Sequence, residues 1–222
     1  MNIMRELIEI YDLLYDRYGS QHWWPGETRD EIIIGAIITQ NTNWKNVEKA
    51  IRNLKINNLI ILENLAKADV RKIAQSIRSS GYYNQKALRL QEIAQHLLKN
   101  GLESFCTLTT DEMRPELLGL KGIGPETADS ILLYAFEKSV FVIDAYTKRI
   151  FQRLGFFSEN ISYDEAQNFF MDNLLKNEEL YNEFHALLVR HAKEYCQKNP
   201  HCLKCVLLKR CKYYIYDLNQ EQ

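Results

Sequence analysis

The 222-residue sequence is poor in the residues that interrupt helices. It holds 9 Gly and 4 Pro, about 6% together, roughly half the usual share. So few turn-formers exclude a hairpin-rich sandwich or barrel and leave long helices as the expectation. Low-complexity tracts are missing, and 46% of the residues are apolar, which excludes the disordered class. Long apolar runs are missing too. The longest, 32–38, falls far short of the ~18 residues of a membrane span. Arg5, Glu6 and Glu9 interrupt the first apolar segment, which argues against a signal peptide. An excess of one charge is absent, with 28 Lys+Arg against 29 Asp+Glu. No repeat of roughly 20–50 residues recurs, so a solenoid is excluded. At about 100–200 residues per domain the length allows one or two lobes.

What is present is helical periodicity. Leu7, Ile10, Tyr11, Leu14 and Tyr18 share one face of a segment that Gly19 stops, as in an amphipathic helix over 4–18. Segment 27–39 is apolar on most faces and reads as a buried central helix. Further helices are expected over 44–54, 67–79, 85–99, 111–119, 125–136, 145–154, 163–175 and 180–195, and only 139–143 reads as extended. The expected fold class is all-α.

Cysteine is scarce except at one place. Cys196, Cys202, Cys205 and Cys211, four of the five, fall within sixteen residues. Without an export signal, that clustering reads as a metal centre rather than a disulfide framework. The short, unequal spacing Cys-x5-Cys-x2-Cys-x5-Cys suits a [4Fe–4S] cluster wrapped by one loop. Structural zinc, the alternative, ordinarily uses two close pairs and a longer spacer. Cys106 stands apart and reads as a small buried hydrophobe. The cluster lies in a basic stretch: 185–215 holds seven Lys or Arg against Glu194 alone. Such a cap on a mildly acidic body suits an anionic polymer, although a solvated surface has the same composition.

Two further motifs stand in the middle of the chain. In Leu118-Gly119-Leu120-Lys121-Gly122-Ile123-Gly124-Pro125-Glu126-Thr127-Ala128, two glycines one residue apart separate two helices. Their backbone can approach a partner closely, and the amides leading into a helix start suit a phosphate. A plain helix connector is the alternative. Asp144 closes the extended piece and opens the next helix. It reads as an N-cap, and a capped start also fixes a carboxylate rigidly.

Taken together, the hairpin, an aspartate about twenty residues on and a four-cysteine C-terminal loop resemble the helix-hairpin-helix DNA glycosylases of the endonuclease III superfamily. The likeness extends over about 30–212. Within it, His22-Trp23-Trp24-Pro25, 35–42 and 80–87 are similar to stretches of the 3-methyladenine DNA glycosylase III type. Members of that type can lack the cysteines, and the first cysteine gap is one residue shorter than in endonuclease III. The resemblance implies two helical lobes flanking a DNA-binding cleft, one over 22–137, the other combining 1–21 with 138–222. It implies a monomeric repair enzyme acting on double-stranded DNA with damaged bases, in the cytoplasm at the nucleoid and not at a membrane.

The resemblance also implies residue roles. Asp144 matches the catalytic carboxylate, which stabilises positive charge on the sugar as the N-glycosidic bond breaks. Glu126 stands where bifunctional members carry a lysine nucleophile. A carboxylate forms no Schiff base, so a monofunctional glycosylase is expected, with Lys121 and Lys148 as the remaining candidate amines. Trp23, Trp24, Pro25, Trp44, Glu126 and Lys193 are expected to line a base pocket, whose aromatic faces favour a cationic base such as 3-methyladenine. Gln40 is expected to fill the gap left by the extruded base and Tyr82 to wedge beside it. Gly122, Ile123, Gly124 and Thr127 are expected at the phosphates. The competing readings are a glycosylase for oxidised or mismatched pyrimidines and a non-catalytic iron–sulfur DNA-binding protein, for which Asp144 would be superfluous.

Overall fold

The structure, a computed structural model, describes residues 2–24, 26–99 and 101–218. Helices make up its regular structure and no strand occurs among the described residues. The chain divides into two units: Pro25–Lys138, and Met1–Trp24 with Ser139–Gln222. Among the described residues no helix is long and apolar enough to cross a membrane.

The central unit is built on two apolar helices, α2 (Arg29–Ile38) and α9 (Pro125–Phe136), which pack together. Ile33, Ile34, Ile37 and Ile38 are fully buried, because α2 is apolar on nearly every face and must be surrounded. The helix starts where Thr28 accepts a hydrogen bond from the Glu31 amide. Around this pair lie α3 (Trp44–Ile56), α4 (Leu62–Lys67), α5 (Val70–Ser76), α6 (Tyr83–Lys99), α7 (Leu102–Cys106) and α8 (Thr110–Leu118). α6 packs on α4 and α5 and presents Ala87, Leu90, Ile93, Ala94 and Leu97 to the core.

The terminal unit pairs α1 (Ile3–Tyr18) with α12 (Glu178–Glu194) and adds α10 (Ala145–Leu154) and α11 (Tyr163–Met171). Its core is aromatic. Phe141 and Phe170 stack at 3.9 Å, and Phe151 meets Phe170 edge-on at 4.7 Å. Phe184 meets both stacked rings edge-on at 5.9 Å. Gly155 ends α10 at φ +85°, a left-handed conformation that calls for glycine.

Several elements depart from the sequence-based expectations. The helix expected over 67–79 is shorter and starts later: Lys67 ends α4, Ala68 is extended, and α5 runs from Val70 to Ser76 with Asp69 as its cap, accepting from the Arg71 amide. A local capping signal thus overrides continuous periodicity. A 3-10 turn, Arg78–Ser80, completes the segment. The short helices α4 and α7 have too few turns for a periodic signal and were not expected. α11 stops at Met171 rather than 175, and Leu175 is exposed. Segment 139–143 is not helical and joins no sheet. The buried Gln167 amide donates to the Phe141 carbonyl at 2.7 Å in place of a neighbouring strand. Cys106 is only half-buried, and its sulfur accepts from the Arg29 guanidinium at 3.1 Å. A thiol is acceptor as well as hydrophobe.

The aromatic core predicts the unit's weakest point. Phe170→Ala removes one ring from the stack and the edge contacts with Phe151, Phe157, Phe169 and Phe184, and should lower stability by about 3–5 kcal/mol. Urea unfolding followed by circular dichroism measures it.

Candidate functional site

The hairpin joins α8 to α9. Gly122 has φ +81° and is exposed, Ile123 is buried as an apolar anchor, and Gly124 is exposed as the N-cap of α9. Pro125 opens α9, where its missing N–H costs nothing. Glu126 is exposed in that first turn and Thr127 is buried behind it. The angle between the two helices is fixed from below. Arg114 of α8 donates Nε and Nη2 to the two carboxylate oxygens of Asp129, at 2.7 and 3.1 Å, and Asp129 is fully buried. Nothing in the sequence marked Arg114 or Asp129, because their spacing across a hairpin has no helical period.

Gln40 is bonded to this hairpin. Its Nε2 donates to the Gly122 carbonyl at 3.2 Å and to Thr127 Oγ1 at 2.9 Å, while its Oε1 accepts from Arg89 Nη1 at 2.6 Å. A Cβ at position 122 would meet the Arg89 guanidinium, which covers the glycine. Tyr82 is 68% exposed and holds φ +46° just before α6. Gln40, Tyr82, Gly122, Ile123, Gly124 and Thr127 therefore all belong to the central unit. Trp44, half-buried at the start of α3, and Glu126 belong to it as well.

Asp144 is in the terminal unit. It caps α10, with Oδ1 accepting from the Thr147 amide at 2.7 Å, and its side chain is 12% exposed. Its other oxygen faces His185 Nε2 at 3.7 Å. Burial holds the His185 pKa below its ordinary value, opposed by the Asp144 charge and aided by that of Lys193. The carboxylate thus faces a neutral imidazole that sequence reasoning missed. The rings of Trp23 and Trp24 meet edge-to-face at 5.7 Å, both half-buried. Lys193 Nζ stands 5.9 Å from the Trp23 ring and 6.0 Å from that of Tyr146. Asp144, Trp23, Trp24 and Lys193 thus share one unit. Pro25 lies outside the described residues.

The cysteine loop follows α12. Two arginines of α10 hold its start: Arg149 donates to the Cys196 carbonyl at 2.8 Å, and Arg153 to those of Gln197 and Lys198 at 2.6 and 3.0 Å. All four thiols are half-buried. Burial pushes up the pKa of Cys202, of Cys211 and of Cys205, the last to about 12, and neighbouring cysteine charges add to each. The sulfurs are near enough to repel one another as thiolates. Among the described residues, however, no three His, Cys, Asp or Glu side chains converge closely enough to hold a metal ion.

Comparison with known proteins places this arrangement. The profile of the HhH-GPD superfamily base excision DNA repair proteins matches residues 34–175. A Methanocaldococcus jannaschii protein, provisionally named a DNA repair glycosylase, is 45% identical over 95% of this chain and 97% of its own. Endonuclease III of Sulfolobus acidocaldarius is 31% identical over 86% of this chain and 85% of its own. The crystal structure of H. pylori 3-methyladenine DNA glycosylase bound to 1,N6-ethenoadenine is 33% identical. It covers 87% of this chain and 98% of its own, with a TM-score of 0.76. The chain belongs to the HhH-GPD superfamily of base excision DNA repair proteins, as a DNA N-glycosylase.

Proposed function

We propose that this protein is a monofunctional glycosylase that extrudes and releases alkylated purines, 3-methyladenine foremost, from double-stranded DNA. The observation that carries the reading is the grouping around Asp144. A rigidly capped carboxylate, His185 facing it and the Trp23–Trp24 pair lie in one unit. The carboxylate stabilises the oxocarbenium-like sugar and orients water. An alkylated purine already carries positive charge and leaves without strong acid assistance, so the work left to the pocket is recognition by aromatic faces. The similarity to the H. pylori enzyme supports the same substrate class.

Glu126 in the first turn of α9 supports base release without strand cleavage, because it provides no amine for an imine. Lys148 is committed elsewhere, donating to the Ile161 carbonyl at 2.9 Å. One observation favours a second reading, a neutral oxidised or mismatched pyrimidine. Lys193 already places a cation over Trp23, which opposes a cationic base, and endonuclease III is among the relatives.

The four cysteines would hold a [4Fe–4S] cluster. What supports a cluster is the gathering of four cysteines in one short loop, close enough for their thiolate charges to act on one another, and endonuclease III among the relatives. When bound, the cluster supplies a cross-link and a redox-capable centre, and the chain's own residues carry out base release.

Three outcomes test these readings. Asp144→Asn retains a good cap but loses the charge, and should slow base release at least ~100-fold while binding to lesion DNA persists. Single-turnover release and a gel-shift titration measure the two, and near-normal turnover would reduce Asp144 to a helix cap. Methylated DNA should lose its base faster than thymine-glycol DNA, with the strand intact until hot alkali and no complex trapped by borohydride. Trp24→Ala should cost about tenfold in alkylated-base release. Faster release of the neutral pyrimidine would favour the second reading. Anaerobically purified protein should show the broad visible absorption of an iron–sulfur cluster, and Cys202→Ser should lose it and weaken DNA binding. Stoichiometric zinc without iron would exclude the cluster.

A further inference from the structure

Lys86 belongs neither to the grouping around Asp144 nor to the hairpin, yet it is among the most completely buried of the described side chains, at 1% exposure. Its Nζ donates to two backbone carbonyls, Ile38 at 3.0 Å and Ser80 at 2.7 Å. Burial first, and the Arg89 charge second, bring its pKa down to about 8. A buried ammonium is an expensive way to cap a carbonyl. An apolar side chain would pack as well, and each helix end could be capped locally.

What this lysine alone provides is one donor atom shared by two turns far apart in sequence. Ile38 ends α2, and Gln40 stands two residues beyond it. Ser80 ends the 3-10 turn, and Tyr82 stands two residues beyond that. Arg89, one turn along α6, holds the same region a second time through the Gln40 side chain. Residues three apart on a helix share a face. α6 thus fixes the main chain of the Gln40 turn with one cation and its side chain with the next.

We propose that Lys86 is a positioning residue for strand-gap recognition: holding both carbonyls on one atom, it sets the spacing between Gln40 and Tyr82. The inference rests on the reading of those two as the residues that fill and flank the gap. It deepens that reading by naming what sets their separation.

The test is DNA binding, which needs no base release. A duplex with one tetrahydrofuran abasic-site analogue is compared with the same duplex undamaged, by fluorescence anisotropy, with 2-aminopurine beside the gap reporting stacking. Lys86→Met keeps the packing and removes the donors. It should lose about tenfold in preference for the abasic duplex and regain 2-aminopurine fluorescence. Affinity for the undamaged duplex, set by phosphate contacts, should stay near wild type. Lys86→Gln keeps N–H donors on a shorter stem and should fall between, which also serves if the Met variant does not fold. In the Gln40→Ala, Tyr82→Ala background, Lys86→Met should add little.

Unchanged preference in a folded Lys86 variant would overturn the inference. So would an equal loss on both duplexes, full additivity with the double variant, or a wild-type protein without preference for the abasic duplex. Failure to release any alkylated base, with a Lys86-dependent gap preference intact, would remove the substrate reading and leave this one standing.

Discussion

The central unit depends on the two-pronged bond between Arg114 and Asp129. It lies at the junction of α8 and α9, with the carboxylate fully buried. Parallel N–H···O bonds fix direction as well as distance, so this pair sets the angle at which the hairpin leaves the two helices. Replacing Arg114 would take a charged, two-pronged partner from a fully buried carboxylate, at a cost of up to about 3–5 kcal/mol. Everything that takes its position from the hairpin inherits this constraint: Gln40 through the Gly122 carbonyl and Thr127, and Arg89 through Gln40 and the bare Cα of Gly122.

The terminal unit reaches the same end by different means. Its candidate carboxylate is held by a cap and backed by an aromatic core whose rings leave little room for adjustment. Capping and catalysis make compatible demands on Asp144. One oxygen satisfies the Thr147 amide, and the other faces His185. Close packing around α10 is what lets a residue on a helix start be placed as firmly as one on a helix body.

The basic C-terminal stretch serves two purposes that charge counting merges. Arg210 pairs with Glu9, Arg190 donates to the Tyr18 carbonyl and Gln21 Oε1 at 3.4 and 3.2 Å, and Lys212 reaches the Gly155 carbonyl at 3.5 Å. These cations tie the stretch to its own unit. Lys198, Lys204 and Lys209 are exposed, and they are the charges left for an anionic partner.

The sequence alone determined the all-α class, most helix positions, the hairpin, the four-cysteine loop and the cap at Asp144. Each is a local pattern: a helical period, a pair of glycines, a short spacing, an aspartate before a helix. Local patterns survive because they depend on neighbours within about one turn. The boundary at Ala68 escaped because a cap acts on one residue within an otherwise continuous period. Only the tertiary structure decided which distant residues meet. The Arg114–Asp129 pair, His185 opposite Asp144 and Lys86 between two turns all join positions without a common period. Burial gives these contacts their strength by removing competing water, and burial is a property of the folded chain that no local stretch of sequence records.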